Sequence, residues 1–202
     1  MVGTAPVVPM VPLPRRPLDS NAGVANAGVR HWYENDLGWA TVPGSPGSPV
    51  RLVTGLRFDV LDVPAEAGVA ALRRLGPGSP VAVQGDRMRL LVAAGSAEEL
   101  PGLLDWLEWG VPALDLVALG AEGRMDAPAP VPTPCDQAVL QGAAVWLRPP
   151  EPGREVEASL PTLSALGGGA GAPDLVRLVD TVATHCHRVR LRRVCAQPLA
   201  FS

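Results

Sequence analysis

Apolar and polar positions change their spacing repeatedly along the chain, and each change marks the edge of an element. From about Ala22 to Leu37 apolar residues recur at near-helical spacing, and Gly38 stands where a left-handed cap ends that helix. Trp39–Val42 and Val50–Val53 read as short strands on either side of a Pro/Gly/Ser loop, 43–49. The next stretch, Thr54-Gly55-Leu56-Arg57-Phe58-Asp59-Val60-Leu61-Asp62-Val63, predicts a central strand. It turns straight into a helix from Pro64 to Leu75, with proline in the first turn, where no hydrogen bond is lost, and Gly76 at the C-terminal cap.

Beyond Gly76, Pro80–Gln84 and Arg87–Val92 flank Gly85-Asp86, which predicts a β-hairpin. Ser96-Ala97-Glu98-Glu99 has the spacing of a capping box and opens a helix to Trp109, stopped by Gly110. Ala113–Leu119 predicts a strand carrying Asp115, residues 120–123 a turn, 126–141 an irregular proline-rich stretch, and Ala143–Leu147 a further strand. Residues 149–153 and 167–171 read as loops, and Asp174 caps a final helix to about Val194.

Mixed strands and helices with a hairpin in the middle imply an α+β fold, a mixed sheet with flanking helices in a single domain. The organisation expected is a proline-rich flexible tail at 1–28, the α+β domain at 29–150, a Gly/Pro-rich loop at 151–173, a basic C-terminal helix at 174–195 and a tail at 196–202.

Composition narrows the function only modestly. The 202 residues include no lysine and no isoleucine, the bias of a GC-rich coding sequence and a pointer to a bacterial genome. A net charge of -3 gives no global attraction to nucleic acid, so any such contact needs a local patch. Three cysteines at no metal-ligand spacing fit a reducing compartment. The apolar N-terminus is broken by prolines and lacks the pattern of a signal peptide, and no apolar run approaches the ~20 residues of a spanning helix. The expectation is a soluble, cytoplasmic protein without a membrane partner.

Candidate chemistry centres on the end of the central strand. Side chains two apart share a strand face, so Asp62 lies with Val60 and Pro64 while Asp59 points the other way. A paired-carboxylate metal site wants its second acid at position 64, which is proline. Asp62 is thus open to two readings, a cap for the following helix or a contact to metal or nucleotide. Arg87 and Arg89 share one face of the hairpin strand, either facing water or, for Arg89, holding a phosphate. In His185-Cys186-His187 the imidazoles two apart on a helix point to opposite sides and cannot share an ion. The arginines of that helix, Arg177, Arg188, Arg190, Arg192 and Arg193, make its end locally basic.

The order of these motifs resembles the N-terminal domain of bifunctional DNA primase/polymerases, a branch of the archaeo-eukaryotic primase superfamily, over roughly residues 29–150. Trp32-Tyr33 and Leu37-Gly38-Trp39-Ala40-Thr41-Val42-Pro43 are similar to that family's opening helix and Gly-Trp strand. Thr54-Gly55 with Val60-Leu61-Asp62-Val63 is similar to its Thr-Gly and Val-Leu-Asp-Val-Asp segment. Leu114-Asp115-Leu116 with Gly123–Pro128 is similar to its later strand and turn. By position, the resemblance gives Asp62 and Asp115 as catalytic, metal-holding acids, with Pro64 in place of the second acid. It puts Arg89 where a nucleotide-binding histidine stands.

The resemblance implies a DNA-replication domain with a degenerate active site that retains binding of nucleotide or DNA. The alternative it implies is an active nucleotidyltransferase using Mg²⁺ or Mn²⁺, with Glu66 or Asp59 as a borrowed acid; a degenerate site needs neither metal. A third reading is a protein-interaction module whose partner docks on the proline-rich tail.

Overall fold

Prolines and glycines set the ends of the elements, and alternate burial decides what lies between them. The computed structural model describes residues 20–42, 48–110, 114–130, 142–163 and 173–195. It contains helix α1 (Ser20–His31) running into a π-helical turn (Trp32–Asp36), strands β1 (Thr41–Val42), β2 (Arg51–Val53) and β3 (Phe58–Pro64), and helix α2 (Ala65–Ala71) with a 3₁₀ turn (Leu72–Arg74). Then come β4 (Val81–Gln84), β5 (Arg87–Ala93), α3 (Ser96–Trp106), β6 (Val117–Leu119), β7 (Arg124–Asp126), β8 (Val145–Arg148), a 3₁₀ turn (Val156–Ser159) and α4 (Leu175–Cys195).

Five strands form one antiparallel sheet in the order β6-β3-β5-β4-β8, and three short ones form a second, β1-β2-β7. From β3 to β6 the chain runs strand, helix, strand, strand, helix, strand, and the order of those strands in the sheet is fourth, first, third, second. That is the split βαβ arrangement. The β4–β5 hairpin closes as expected, with Gln84 opposite Arg87. Gly85 supplies the φ of +58° that its first turn position needs.

The period-two alternation of β3 feeds two cores. Leu61 and Val63, with Leu90 and Val92 of β5, pack on Ala67 and Ala71 of α2 and on Leu178 and Val182 of α4. Phe58 and Val60, with Leu91 of β5, pack on Tyr33, Trp39 and Leu52. The five-stranded sheet is therefore covered by helices on one face and by the small sheet and π-turn on the other. An α+β fold in one compact domain results. Each fully buried Leu or Phe contributes roughly 1.5–3 kcal/mol, so these two clusters outweigh the surface ion pairs. Along β3 the residues are buried except Asp62, which is only partly covered. The strand thus opens to solvent near its C-terminal end.

Two further sets of contacts tie together the segments around that strand. Tyr33 Oη donates to the Pro128 carbonyl at 2.7 Å and accepts from Trp146 Nε1 at 2.9 Å, and burial pushes its phenol well above the usual range. Thr54 Oγ1 donates to the Gly120 carbonyl at 2.7 Å. Beside it, Gly55 (φ +86°) lies so close to the Ala121 backbone that a Cβ would collide with it. The Thr-Gly pair is thereby a clasp between the β2–β3 connection and the turn after β6.

Several boundaries differ from the sequence reading. The helix expected from about Ala22 is present and begins at Ser20, so it takes in the end of the tail drawn at 1–28, and its later turns pack through Val29 beside Trp32 and Tyr33. Pro64 is the last residue of β3, with Arg87 as its Cα partner, and the N-cap of α2, so it stands one position before the first helical turn expected for it. The Ser96 capping box does not form. Gly95 is the N-cap with no side-chain bond, and Asp59 accepts from Ala97 N at 2.9 Å instead. Strand β7 arises between the turn expected at 120–123 and the irregular stretch expected from 126, overlapping the latter only at Asp126, and pairing with β2 supplies its hydrogen bonds. Asp174 does cap α4, accepting from Val176 N at 2.8 Å. The proline-rich tail at 1–19, the loops at 43–47 and 167–171, the start of the strand expected at 113, most of 126–141 with Cys135, and the tail at 196–202 lie outside the described residues. Among the described residues no helix is long and apolar enough to cross a membrane.

Candidate functional site

Asp62 sits on β3 with Val60 and Pro64, on the face away from the α2–α4 layer. Its Cα partner across the ladder is Arg89 on one side and Val117 on the other. Side chains at directly opposed positions lie about 5 Å apart and diagonal ones remain within reach of a long side chain. Both arginines of β5 therefore reach Asp62. Arg89 Nε stands 3.2 Å from Asp62 Oδ2, while Arg87 Nε is 2.6 Å from Oδ1 and Arg87 Nη2 donates to the Asp62 carbonyl at 2.8 Å.

The same Arg87 turns its Nη1 to Asp115 Oδ1 at 2.5 Å, so one planar guanidinium bridges both acids. Asp115 lies in the segment leading into β6, not on a strand as the sequence suggested. Its other oxygen is 3.3 Å from Arg193 Nη1 of α4, and its carbonyl accepts from the Cys186 thiol at 3.7 Å. Burial lowers the affinity of Arg87 for its proton, but the hydrogen bonds and charges of Asp62 and Asp115 outweigh that and raise it above the usual range. Burial first and then the Asp115 charge push the Cys186 thiol up to about 11. It stays a neutral thiol.

Sequence reasoning left Arg87 and Arg89 open to a role on the wet face. Their side chains are only 24% and 14% exposed, so solvation alone does not account for them. Asp62 is not a helix cap either: the N-cap of α2 is Pro64, with no side-chain bond. Two polar atoms on this face have no hydrogen-bond partner although buried, Arg89 Nη1 and Gln84 Oε1. Gln84 and Arg89 come from neighbouring strands in register, with Gln84 opposite Arg87 and Ala82 opposite Arg89. A buried donor and a buried acceptor left unmatched are costly, and a ligand or water that bonds them removes the cost.

The donor set does not fit a divalent cation. Each carboxylate oxygen of Asp62 and Asp115 already accepts from or faces a guanidinium. A doubly charged ion about 4 Å from one guanidinium is repelled by about 8 kcal/mol at an effective dielectric of about 20, which cancels the attraction of one carboxylate. The local count is two acids (Asp62, Asp115) against three arginines (Arg87, Arg89, Arg193). Neither borrowed acid changes this. Glu66 lies in the first turn of α2, paired with Arg192 at 2.5 Å. Asp59 faces the opposite side, where it holds the first turn of α3. Among the described residues no group of three or more His, Cys, Asp or Glu is gathered as a cation site. Cys186 of the His-Cys-His triplet is buried in the helix-side core.

The arrangement therefore brings together all three residues singled out from the sequence, Asp62, Asp115 and Arg89, and adds Arg87. Its signal was present in the alternation Arg87-Met88-Arg89-Leu90, which places both arginines on one face. What the sequence did not carry was that β5 pairs with β3 rather than only with β4. Comparison with family models, with curated proteins and with solved structures returns no match for this chain.

Proposed function

We propose that the chain is a primase/polymerase-like domain without nucleotidyl transfer, whose arginine-rich sheet end binds the phosphate of a nucleotide or nucleic acid independently of metal. The observation that carries this reading is Arg87, whose guanidinium occupies the space between the two family-matched carboxylates. A two-metal mechanism needs hard oxygen donors shared between ions. Here those oxygens are committed to cations of the protein itself. Arg89, at the position of the family's nucleotide-binding histidine, keeps one buried Nη1 free of a partner, and phosphate oxygens are the acceptors a guanidinium fork matches best.

Titration of the full chain with a nucleoside triphosphate tests this, with excess chelator and again with Mg²⁺. Equal affinity in the two conditions, weakened about tenfold in Arg89→Gln, is the expected result. Binding that appears only with the metal, or that is indifferent to Arg89, contradicts it.

A further inference from the structure

On α4, residues 181, 185, 188 and 192 follow at intervals of four, three and four, so Thr181, His185, Arg188 and Arg192 form one row along the helix. Helix α2 and its 3₁₀ turn run antiparallel beside that row. Glu66 at their start meets Arg192, and Arg74 Nε at their end donates to Thr181 Oγ1 at 3.1 Å. Arg73, next to Arg74, is exposed, as is Arg188. Arg188, Arg73 and Arg192 all act on His185, whose imidazole is held below its usual range by burial first and by these charges second. Two elements distant in sequence thus converge their arginines on one strip, in a chain whose net charge is -3.

Of Arg73, Arg74, Arg188 and Arg192, only Arg192 has a carboxylate partner among the described residues. That pair is more than half exposed on both sides, so it exchanges readily. Uncompensated like charges on a surface are maintained against their own repulsion, and a polyanion relieves it.

We propose that this α2–α4 strip is a docking surface for the phosphate backbone of a nucleic acid. From residue 181 to 192 it extends about 16 Å, long enough for several successive phosphates. The cations are all arginine, the side chain that grips phosphate bidentately. The exposed apolar residues of α4, Leu191 and Val194, lie about 90° and 150° around the helix from the row at about 100° per residue. Beside the cations themselves the exposed Val69 of α2, one turn before Arg73, is a single apolar residue among those described, much less than the broad apolar face with which an amphipathic helix enters a membrane. The strip lies on the helix layer, apart from the Arg89 face, and its nucleic-acid partner rests on the reading given above.

The test is fluorescence anisotropy of the full chain with a labelled 12-nucleotide single strand, at several salt concentrations. The comparison variants are Arg73→Glu/Arg188→Glu and Arg73→Lys/Arg188→Lys, both at exposed positions. Binding by the wild type, at least tenfold weaker in the glutamate variant and largely restored in the lysine variant, supports the proposal. The slope of log K against log salt should fall by about 1.4 when two contacts are lost. Absence of binding at 50 mM salt, equal binding by the glutamate variant, or preference for vesicles containing phosphatidylserine overturns it. Nucleoside triphosphate binding measured on the same glutamate variant separates the two proposals. If the nucleotide still binds through Arg89 while the strand ignores Arg73 and Arg188, only the docking strip fails. If the strand follows Arg73 and Arg188 while no nucleotide binds, only the Arg89 reading fails.

Discussion

Asp62 of β3 and Arg89 of β5 are Cα partners across an antiparallel ladder, and their side chains meet at 3.2 Å where β3 is only partly covered. An acid placed by the strand at the mouth of a fold is thereby answered by a base from the adjacent strand. Arg87 extends the answer to Asp115.

Loss of Arg87 should leave Asp62 with Arg89 alone and Asp115 with Arg193 alone, two carboxylates without the cation that lay between them. Arg87→Ala is expected to lower stability by about 2–3 kcal/mol, and the apparent Tm by roughly 4–12 °C. Arg87→Lys should recover only part of this, because a single ammonium cannot reproduce a planar bridge to both acids. Urea denaturation of the three proteins, with equal m-values, measures it.

Asp59 is fully buried, its Oδ2 accepts from Ala97 N, and its Oδ1 has no partner. Burial raises the pKa of its carboxyl above the usual range, opposed by backbone hydrogen bonds including that from Ala97. The folded state then holds this proton more tightly than the unfolded chain. Stability contributed by Asp59 should therefore rise as pH falls from neutral toward about 4, the ordinary carboxyl range, and Asp59→Asn should lose that slope. Stability curves for both proteins between pH 4 and 7 check the sign. Asp59→Ala, which abandons the helix contact, is expected to cost about 1–2 kcal/mol.

Thiol chemistry should separate Cys186 from Cys195. Cys186 is buried and holds its proton to about 11, whereas Cys195 is exposed at the end of α4. Under native conditions at pH 7.5, maleimide should label Cys195 within minutes and leave Cys186 unlabelled until denaturant is added. Peptide mapping after a timed quench reads both sites.

Local signals were legible wherever they were self-contained. Gly85-Asp86 announced its hairpin, Asp174 its helix, and the run from Phe58 to Val63 a strand ending in a carboxylate, since each depends on residues within a few positions. The capping box at Ser96 misled because a tertiary acceptor, Asp59, reaches the same helix end from 38 residues away. Strand β7 is three residues long and exists through its pairing with β2, so no periodicity marked it. The site divided in the same way. Asp62, Asp115 and Arg89 could be named one by one, but the bridge by Arg87 and the convergence of Arg73 with α4 depend on which strands and helices become neighbours.

The central claim is that the carboxylate pair is occupied by the protein's own arginines and performs no nucleotidyl transfer. A primed-template extension assay with deoxynucleoside triphosphates, run on the purified full chain with Mg²⁺ and with Mn²⁺, tests it most directly. The expected result is no template-dependent product with either ion. Product that disappears in both Asp62→Ala and Asp115→Ala would contradict the account.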